Sequence, residues 1–429
     1  MKHAVVVGSG AGGAAVAREL AGSFRLTILE EGSAFRPFGM DVSAMETLKA
    51  TGLLLDERMT TLLFPSMRIR RSREGMALVT GRCVGGTTTI SAGNALRMDG
   101  DLRALGIDLD REFEELSREV PVSAEHTVKW RADTRELFDA CAALGLSPRP
   151  TPKLIDFSRC RRCGRCILGC PVRAKWDARV FVDQAVQRGA RVQARCRVER
   201  IQVENGRAAG VWVRQGLRRR LFRADLVVVA AGGLGTAPIL EQSGIPTESS
   251  LFVDPVLCLA GRRERTGARG EISMPFVVQQ DSFIVSPYFD YLSYFFNPGW
   301  KRPESGVISL MVKLADSRSG SARGGRAGKA LSDRDRRVLA GGMDLCRRIL
   351  VRAGVSESSL VPGTVNAGHP GGTVPLTEAD ARSLHPSRLP ANVYVADASL
   401  LPRSLGNPPI LTVMALARAV GKRILEAAA

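Results

Sequence analysis

The chain has 429 residues, is 45% hydrophobic and 24% charged, and carries a formal net charge of +18, with Arg well in excess of Lys. That length allows two or three domains, and no run of 18 apolar residues exists to span a membrane. The basic residues are dispersed and no nucleic-acid motif accompanies them, which argues against nucleic acid and leaves an acidic electron-carrier protein as the partner this charge suits.

The chain enters an apolar strand at once, Val5 to Val7, so no signal peptide is expected and the cytoplasm is the expected compartment. The strand runs into Gly8-x-Gly10-x-x-Gly13, a small-residue helix from Ala14 to Leu20, and a second strand, Leu26 to Leu29, that ends on Glu30. This is a dinucleotide-binding pattern. Gly8 allows the tight turn, Gly10 lets a pyrophosphate approach the backbone, and Gly13 lets helix and strand pack closely. The helix N-terminus offers free N–H groups to phosphate, and Glu30 can accept hydrogen bonds from ribose hydroxyls. By itself the pattern does not separate FAD from NAD.

Residues 34–80 read as loops and helical pieces, with Arg68 to Gly75 a basic, exposed stretch. A loop of paired glycines and hydroxyls follows, Gly81-Arg-Cys-Val-Gly85-Gly86-Thr87, suited to lie against a flat or phosphorylated ligand. Leu102 to Val120 and Thr134 to Leu146 have amphipathic helical spacing, as does Ala178 to Arg188. Strands are expected at Arg191 to Cys196, Val198 to Val203 and Ala209 to Arg214, the last two joined by the Asn205-Gly206 turn. Leu226 to Ala231 is a further apolar strand entering Gly232-Gly-Leu-Gly and a helix at Ile239 to Ser243, so the first sheet is expected to return here. Residues 250–365 change character, with an aromatic window from Pro287 to Trp300 and a polar loop from Ala315 to Gly328. Asp333 to Gly354 reads as a helix, Val393 to Val395 as a strand, and Ile410 to Leu425 as a last helix.

Nine cysteines are present, four of them as Cys160-x-x-Cys163-x-x-Cys166-x-x-x-Cys170-Pro171. This is the bacterial ferredoxin spacing, which favours an iron–sulfur cluster, 4Fe–4S ahead of 3Fe–4S. Tetrahedral zinc and a metal-free loop stay open as alternatives. Arg161, Arg162, Arg165 and Arg173 flank the run and could offset the charge of the thiolates. Cys83, Cys141, Cys196, Cys258 and Cys346 read as core residues.

Several blocks together resemble the glucose–methanol–choline (GMC) oxidoreductases. They are Gly81 to Ser91, Ala230 to Ile245, Ala396-Asp397-Ala-Ser-Leu-Leu-Pro402 and Gly406-Asn407-Pro-Pro-Ile-Leu-Thr-Val-Met414, in family order. The resemblance implies an α/β fold: a Rossmann-like FAD-binding domain with a smaller α+β, antiparallel-sheet substrate domain. The expected organisation is 1–100 FAD-binding (first part), 101–177 helical and cysteine-cluster segment, 178–249 FAD-binding (second part), 250–365 substrate domain, and 366–429 FAD-binding and active-site part. It implies FAD as cofactor, held in part by Gly85, Gly86, Thr87, Asp397 and Asn407. It also implies that His369 takes the hydroxyl proton of an alcohol while hydride goes to the flavin, and that Asn407 orients the substrate oxygen.

Of the four histidines, His3 opens a strand, His126 is expected in a polar loop and His385 in a charged loop; a lone His is more often structural than catalytic, and it is the resemblance that makes His369 the candidate base. Tyr288, Phe289, Tyr291, Tyr294, Phe295, Phe296 and Trp300 could line a pocket for a hydrophobic alcohol or could be core. The leading reading is an FAD alcohol dehydrogenase passing electrons through the cluster to an external acceptor. A ferredoxin-driven reductase of a carbonyl or C=C bond, and a non-catalytic electron-transfer protein, stand as alternatives.

Overall fold

The computed structural model describes residues 1–39, 61–264, 266, 270–297, 300, 306–324 and 326–428. β1 (His3–Val7), α1 (Ala11–Leu20) and β2 (Arg25–Leu29) form the expected strand–turn–helix–strand unit. β1 is the centre of a five-stranded parallel sheet in the order Val393–Val395, Leu226–Val229, β1, β2, Arg191–Gln193. The strands are apolar because both faces are covered: α1 packs on one side with the last helix, Ile410–Ala428, and Val5, Val6, Val227 and Val228 have no exposed surface. The first sheet does return at Leu226–Val229, as the second glycine unit implied.

The second large sheet is mostly antiparallel. Its centre is Pro255–Arg262, Val307–Leu314, Phe283–Pro287 and Phe276–Gln279. Helix Asp333–Arg352 packs on it, started by a capping box in which Ser332 and Asp335 exchange hydrogen bonds. The architecture is thus α/β, a parallel dinucleotide-type sheet joined to an antiparallel one.

Several elements differ from expectation. The stretch read as loops and helical pieces contains a hairpin, Met67–Arg71 with Ala77–Gly81; residues 61–63 are helical, and residues 40–60 of that expectation lie outside the described residues. The alternation in Met67-Arg-Ile-Arg was the strand signal. This hairpin, with Pro148–Pro150 and Asn366–Ala367, extends the antiparallel sheet beyond residues 250–365. Leu102 to Val120 is two helices, Gly100–Ala104 and Asp110–Glu119, parted where Gly106 takes φ +80°. The Asn205-Gly206 hairpin forms, but a third strand, Arg218–Arg223, completes a three-stranded meander. The helix expected at Ile239 to Ser243 is Thr236–Glu241, with Pro238 in its first turn.

Candidate active site

One cavity of about 470 Å³ runs from the glycine turn to the antiparallel sheet. At one end lie Gly8, Gly10 and Gly12. Gly8 sits at φ +98°, and a Cβ there would meet the Ala230 carbonyl oxygen at 2.3 Å. A Cβ on Gly13 would meet the Gly8 oxygen at 2.1 Å, whereas one on Gly10 would meet no atom within 4 Å. Two glycines therefore serve packing, and Gly10 opens onto space that a ligand can fill. Gly86 lies against Gly10, and Thr87 lines the cavity while its Oγ1 accepts from the Gly81 N–H at 3.0 Å. Gly85 sits behind this surface at φ +95°, its N–H donated to Ser9 Oγ at 3.1 Å.

Glu30 lines the same end, its carboxylate accepting from Ser9 Oγ at 2.6 Å, Ser9 N–H at 3.2 Å and Gly32 N–H at 2.7 Å. Burial pushes its pKa up. Asp397 also lines the cavity and clasps its turn: its carboxylate accepts from Gly232 N–H and Ser399 N–H at 2.8 Å and from Thr236 Oγ1 at 2.5 Å. Both acids hold the glycine loops in shape. The stretch expected as exposed and basic instead sends Arg68 and Arg70 into the cavity wall, where Arg68 pairs with Glu31 at 2.9 Å.

His369 stands further along the wall. Its position follows from strand register. Pro255 pairs with Ala367, and the His369 N–H donates to the Val253 carbonyl at 3.3 Å, so Asp254 stands opposite Gly368. His369 Nδ1 is 3.5 Å from Asp254 Oδ2. Lys313, across the sheet, donates to the same oxygen, and Ser404 Oγ donates to Asp254 Oδ1. Asp254 and Lys313 each expose 1% of their side chains. Burial pushes the Asp254 carboxyl up, but Lys313 and His369 together pull it below the usual range. Burial and the Lys313 charge lower the His369 pKa, with Asp254 opposing. The imidazole is therefore neutral at pH 7, with Nδ1 facing a carboxylate and Nε2 left to accept a proton.

Asn407 is 1% exposed and is absent from the cavity lining. Its Nδ2 donates to Gln279 Oε1 at 3.1 Å and to the Leu405 carbonyl at 3.4 Å, while its buried Oδ1 has no hydrogen-bond partner. The structure thus brings His369 to the cavity and turns Asn407 towards the Gln279 strand. His126 is not in a polar loop: it is fully buried between Trp130 Nε1 and the Thr151 carbonyl, its pKa pushed down to about 4 by burial.

The far end of the cavity is apolar. Tyr288, Tyr291, Phe295 and Phe296 line it with Met274 and Met311, whereas Phe289, Tyr294 and Trp300 belong to the core behind. Asp290 lines it too, its carboxyl pushed up to about 6 by burial. Sequence reasoning missed Asp254 and Lys313. The available signal was Lys313 itself, the one charge in the strand Val307–Leu314, every residue of which is buried.

The four cysteines of the run line one small cavity, and none is in a disulfide. Gly164 at φ +66° and Gly169 at φ +92° turn the loop, and the Lys175 N–H donates to Cys170 Sγ at 3.5 Å. The donor set suits a thiolate-bound metal, yet among the described residues no group of three or more His, Cys, Asp or Glu is arranged to hold an ion. Of the flanking arginines, Arg161, Arg162 and Arg165 line this cavity too, Arg162 donating to the Lys129 carbonyl at 3.0 Å and Arg165 to the Phe38 carbonyl, while Arg173 pairs with Asp183 at 3.5 Å. The turn Cys166–Leu168 carries Cys166 in this pocket and Ile167 and Leu168 in the wall of the large cavity.

Residues 3–259 match the family model described as GMC oxidoreductase. The chain belongs to the GMC oxidoreductase family. An uncharacterised GMC-type oxidoreductase of Mycobacterium tuberculosis is 34% identical over 280 residues, 60% of this chain. That alignment covers 42% of the mycobacterial protein's length. An uncharacterised protein of Methanocaldococcus jannaschii is 24% identical over 98% of this chain and 99% of its own. A long-chain-alcohol oxidase of Arabidopsis thaliana is 25% identical over 99% of this chain and 66% of its own. Among solved structures, pyridoxine 4-oxidase from Mesorbium loti matches with a TM-score of 0.72 at 19% identity, covering 99% of both chains. Formate oxidase of Aspergillus oryzae matches at 0.73 and 15% identity, covering 99% of this chain and 98% of its own. These structural likenesses carry the GMC fold. Among the described residues, no helix is long and apolar enough to cross a membrane.

Proposed function

We propose that this GMC protein is an FAD-dependent oxidoreductase acting on the CH–OH group of a hydrophobic alcohol. The observation that carries the reading is the position of His369: a neutral imidazole on the wall of a cavity that runs from the Gly10 opening to an aromatic end, backed by a buried carboxylate. The Gly10 space, with Gly86 and Thr87 beside it, fits a dinucleotide, and Gly8, Gly10, Gly12, Glu30, Gly86, Thr87 and Asp397 would surround it. When bound, FAD would supply a hydride acceptor.

This chain's residues do the rest. Tyr288, Tyr291, Phe295 and Phe296 take the alkyl part out of water. His369 Nε2 accepts the hydroxyl proton. Asp254 faces Nδ1 across 3.5 Å and its charge stabilises the imidazolium that forms, and Lys313 keeps Asp254 ionised. Lys313 also lines the cavity, so its charge favours negative charge developing on the substrate oxygen. Asn407 bonds Gln279, and neither lines the cavity, so no substrate contact is assigned to it. The similarity to a long-chain-alcohol oxidase supports an aliphatic alcohol over a free sugar.

A second part of the reading concerns Cys160, Cys163, Cys166 and Cys170, which would hold an iron–sulfur cluster able to exchange single electrons with an external acceptor. An acidic carrier protein would suit the net charge of +18. Nine free cysteines suit the reducing cytoplasm. The test is anaerobic: purified protein is mixed with a long-chain alcohol and flavin absorbance is followed in wild type and in H369A. Bleaching in wild type that is lost in H369A, with flavin still bound, supports the reading. Equal bleaching in both removes His369 as the base.

A further inference from the structure

Asp254 stands in a backbone conformation that its own sequence disfavours. Its φ is +52°, in the left-handed region that residues with a Cβ rarely take. It also precedes Pro255, and a proline steers the residue before it towards extended backbone. Such a residue persists only where its surroundings hold it. Here the hold comes from one carboxylate. Asp316 Oδ1 accepts from the Asp254 N–H at 2.9 Å, and the two Asp316 oxygens accept from the Val253 N–H at 3.2 and 3.1 Å. The Asp316 N–H donates to Ser404 Oγ at 3.1 Å, and that hydroxyl donates to Asp254 Oδ1. Asp316 therefore fixes Asp254 at its backbone and, through Ser404, at its side chain.

The clasp reaches His369 by two routes. Val253 gives its N–H to Asp316 and takes the His369 N–H on its carbonyl at 3.3 Å. The Asp254 carboxylate stands 3.5 Å from His369 Nδ1. Neither Asp316 nor Lys329 lines the cavity, and both side chains are 0% exposed. Lys329 Nζ lies 2.8 Å from Asp316 Oδ2 and donates to the carbonyls of Leu251 at 3.3 Å and of Ser317. A buried ion pair is weak evidence of stability, because apolar residues of similar volume often serve as well. What an apolar pair could not supply here is an acceptor for two successive buried N–H groups.

We infer that Asp316, balanced by Lys329, is a positioning residue of the site: it holds the left-handed turn at Val253 and Asp254 that sets the Asp254 carboxylate against His369. This rests on the reading of His369 as the base and adds to it the residues that aim its partner. Among the described residues, the charged groups that act on His369 are Asp254 and Lys313, and both stay in place in the variants below.

The experiment uses the full chain, loaded with flavin and labelled with nitrogen-15 at its histidines; the His369 signals are identified by their loss in H369Q. D316L/K329M removes both charges and the acceptor with a side chain of similar shape. D316N/K329M removes the same charges and keeps an acceptor oxygen. D316V/K329M replaces the first where thermal unfolding shows that it does not fold. The pair has no net charge in wild type or in any variant, so a difference between the variants reports the acceptor. In D316L/K329M the His369 ring shifts are expected to change and its titration midpoint to fall, because the carboxylate that raises it is displaced. Flavin reduction by a long-chain alcohol is expected to slow by roughly 10²-fold, through kcat with KM little changed. D316N/K329M is expected to recover most of both. Equal shifts, midpoints and rates in the two variants, both normal or both impaired, would overturn the role of Asp316. No bleaching by alcohol in wild type, with His369 shifts that still differ between the variants, would overturn the reading of the reaction and leave the positioning role standing.

Discussion

Among the described residues four lysines are buried to 2% exposure or less, and they fall into two pairs with opposite chemistry. Lys313 and Lys329 each face a carboxylate: Lys313 donates to Asp254, and Lys329 lies 2.8 Å from Asp316. That pair is internally neutral, and the Asp254 end of it lies 3.5 Å from His369 Nδ1. Lys153 and Lys175 face only carbonyl, amide and hydroxyl oxygens. The first pair is complete in the protein alone. For the second, burial pushes both lysine pKa values down, that of Lys153 to about 7, and favours the neutral amine. Charge balance thus separates lysines paired with carboxylates from lysines held by neutral acceptors alone.

The comparison can be broken most forcefully at the complete pair. Removing one member of a buried ion pair leaves the other unpaired, so D254A is expected to lose about 3–5 kcal/mol of stability, measured by urea unfolding. D254N keeps the shape and loses the charge. It is expected to retain the fold while slowing flavin reduction, because the imidazolium loses its counterion. H369Q removes the base outright and is expected to slow flavin reduction by roughly 10²–10⁴-fold in stopped-flow traces, with the flavin still bound.

A smaller effect follows from the titration of His369. Its pKa lies below the ordinary 6.5, so the imidazole accepts protons above that lowered pKa and not below it. The rate of flavin reduction is therefore expected to be flat from pH 7 upward and to fall as pH drops through the lowered pKa. Stability contributed by the buried neutral ring runs the same way, present above 6.5 and lost as acid forces a charge into the site. In D254N the acid limb should move to still lower pH, since the group that raises the His369 pKa is gone.

The glycine turn gives a sharper, quieter contrast. A Cβ on Gly12 would stand 1.8 Å from the Ala396 carbonyl oxygen, so G12A should destabilise the chain whether or not flavin is present. Gly10 has open space, so G10A should leave the unfolding midpoint of flavin-free protein unchanged and weaken flavin binding, read by fluorescence titration. The smallest effect is expected at the aromatic end. Phe296 is only partly buried, and F296A should raise KM for a long-chain alcohol several-fold, about 1–2 kcal/mol, while kcat changes little.

How much of this was legible in the sequence follows from where each feature stores its information. The turn at Gly8, Gly10 and Gly13 is local: a positive φ and two close backbone approaches leave a spaced glycine signature, and β1 and β2 leave apolar runs. The cysteine run is local in the same sense. Asp254, Lys313 and His369 are 115 positions apart from first to last, and only the register of Asn366–Ala367 and Val307–Leu314 against Pro255–Arg262 brings them together. No periodicity in any one segment encodes that. Asn407 shows the opposite limit. Its block placed it correctly in the chain, but the direction of its amide depends on Gln279, which lies on a distant strand. Arg68 and Arg70 were read as surface because charge was weighed above the alternation of Met67-Arg-Ile-Arg.

The measurement that tests the account most directly is anaerobic stopped-flow mixing of flavin-loaded protein with a long-chain alcohol at pH 8, in wild type, H369Q and D254N. The expected result is rapid bleaching of the flavin band in wild type, near-complete loss in H369Q, and an intermediate rate in D254N. Bleaching in H369Q as fast as in wild type would contradict it.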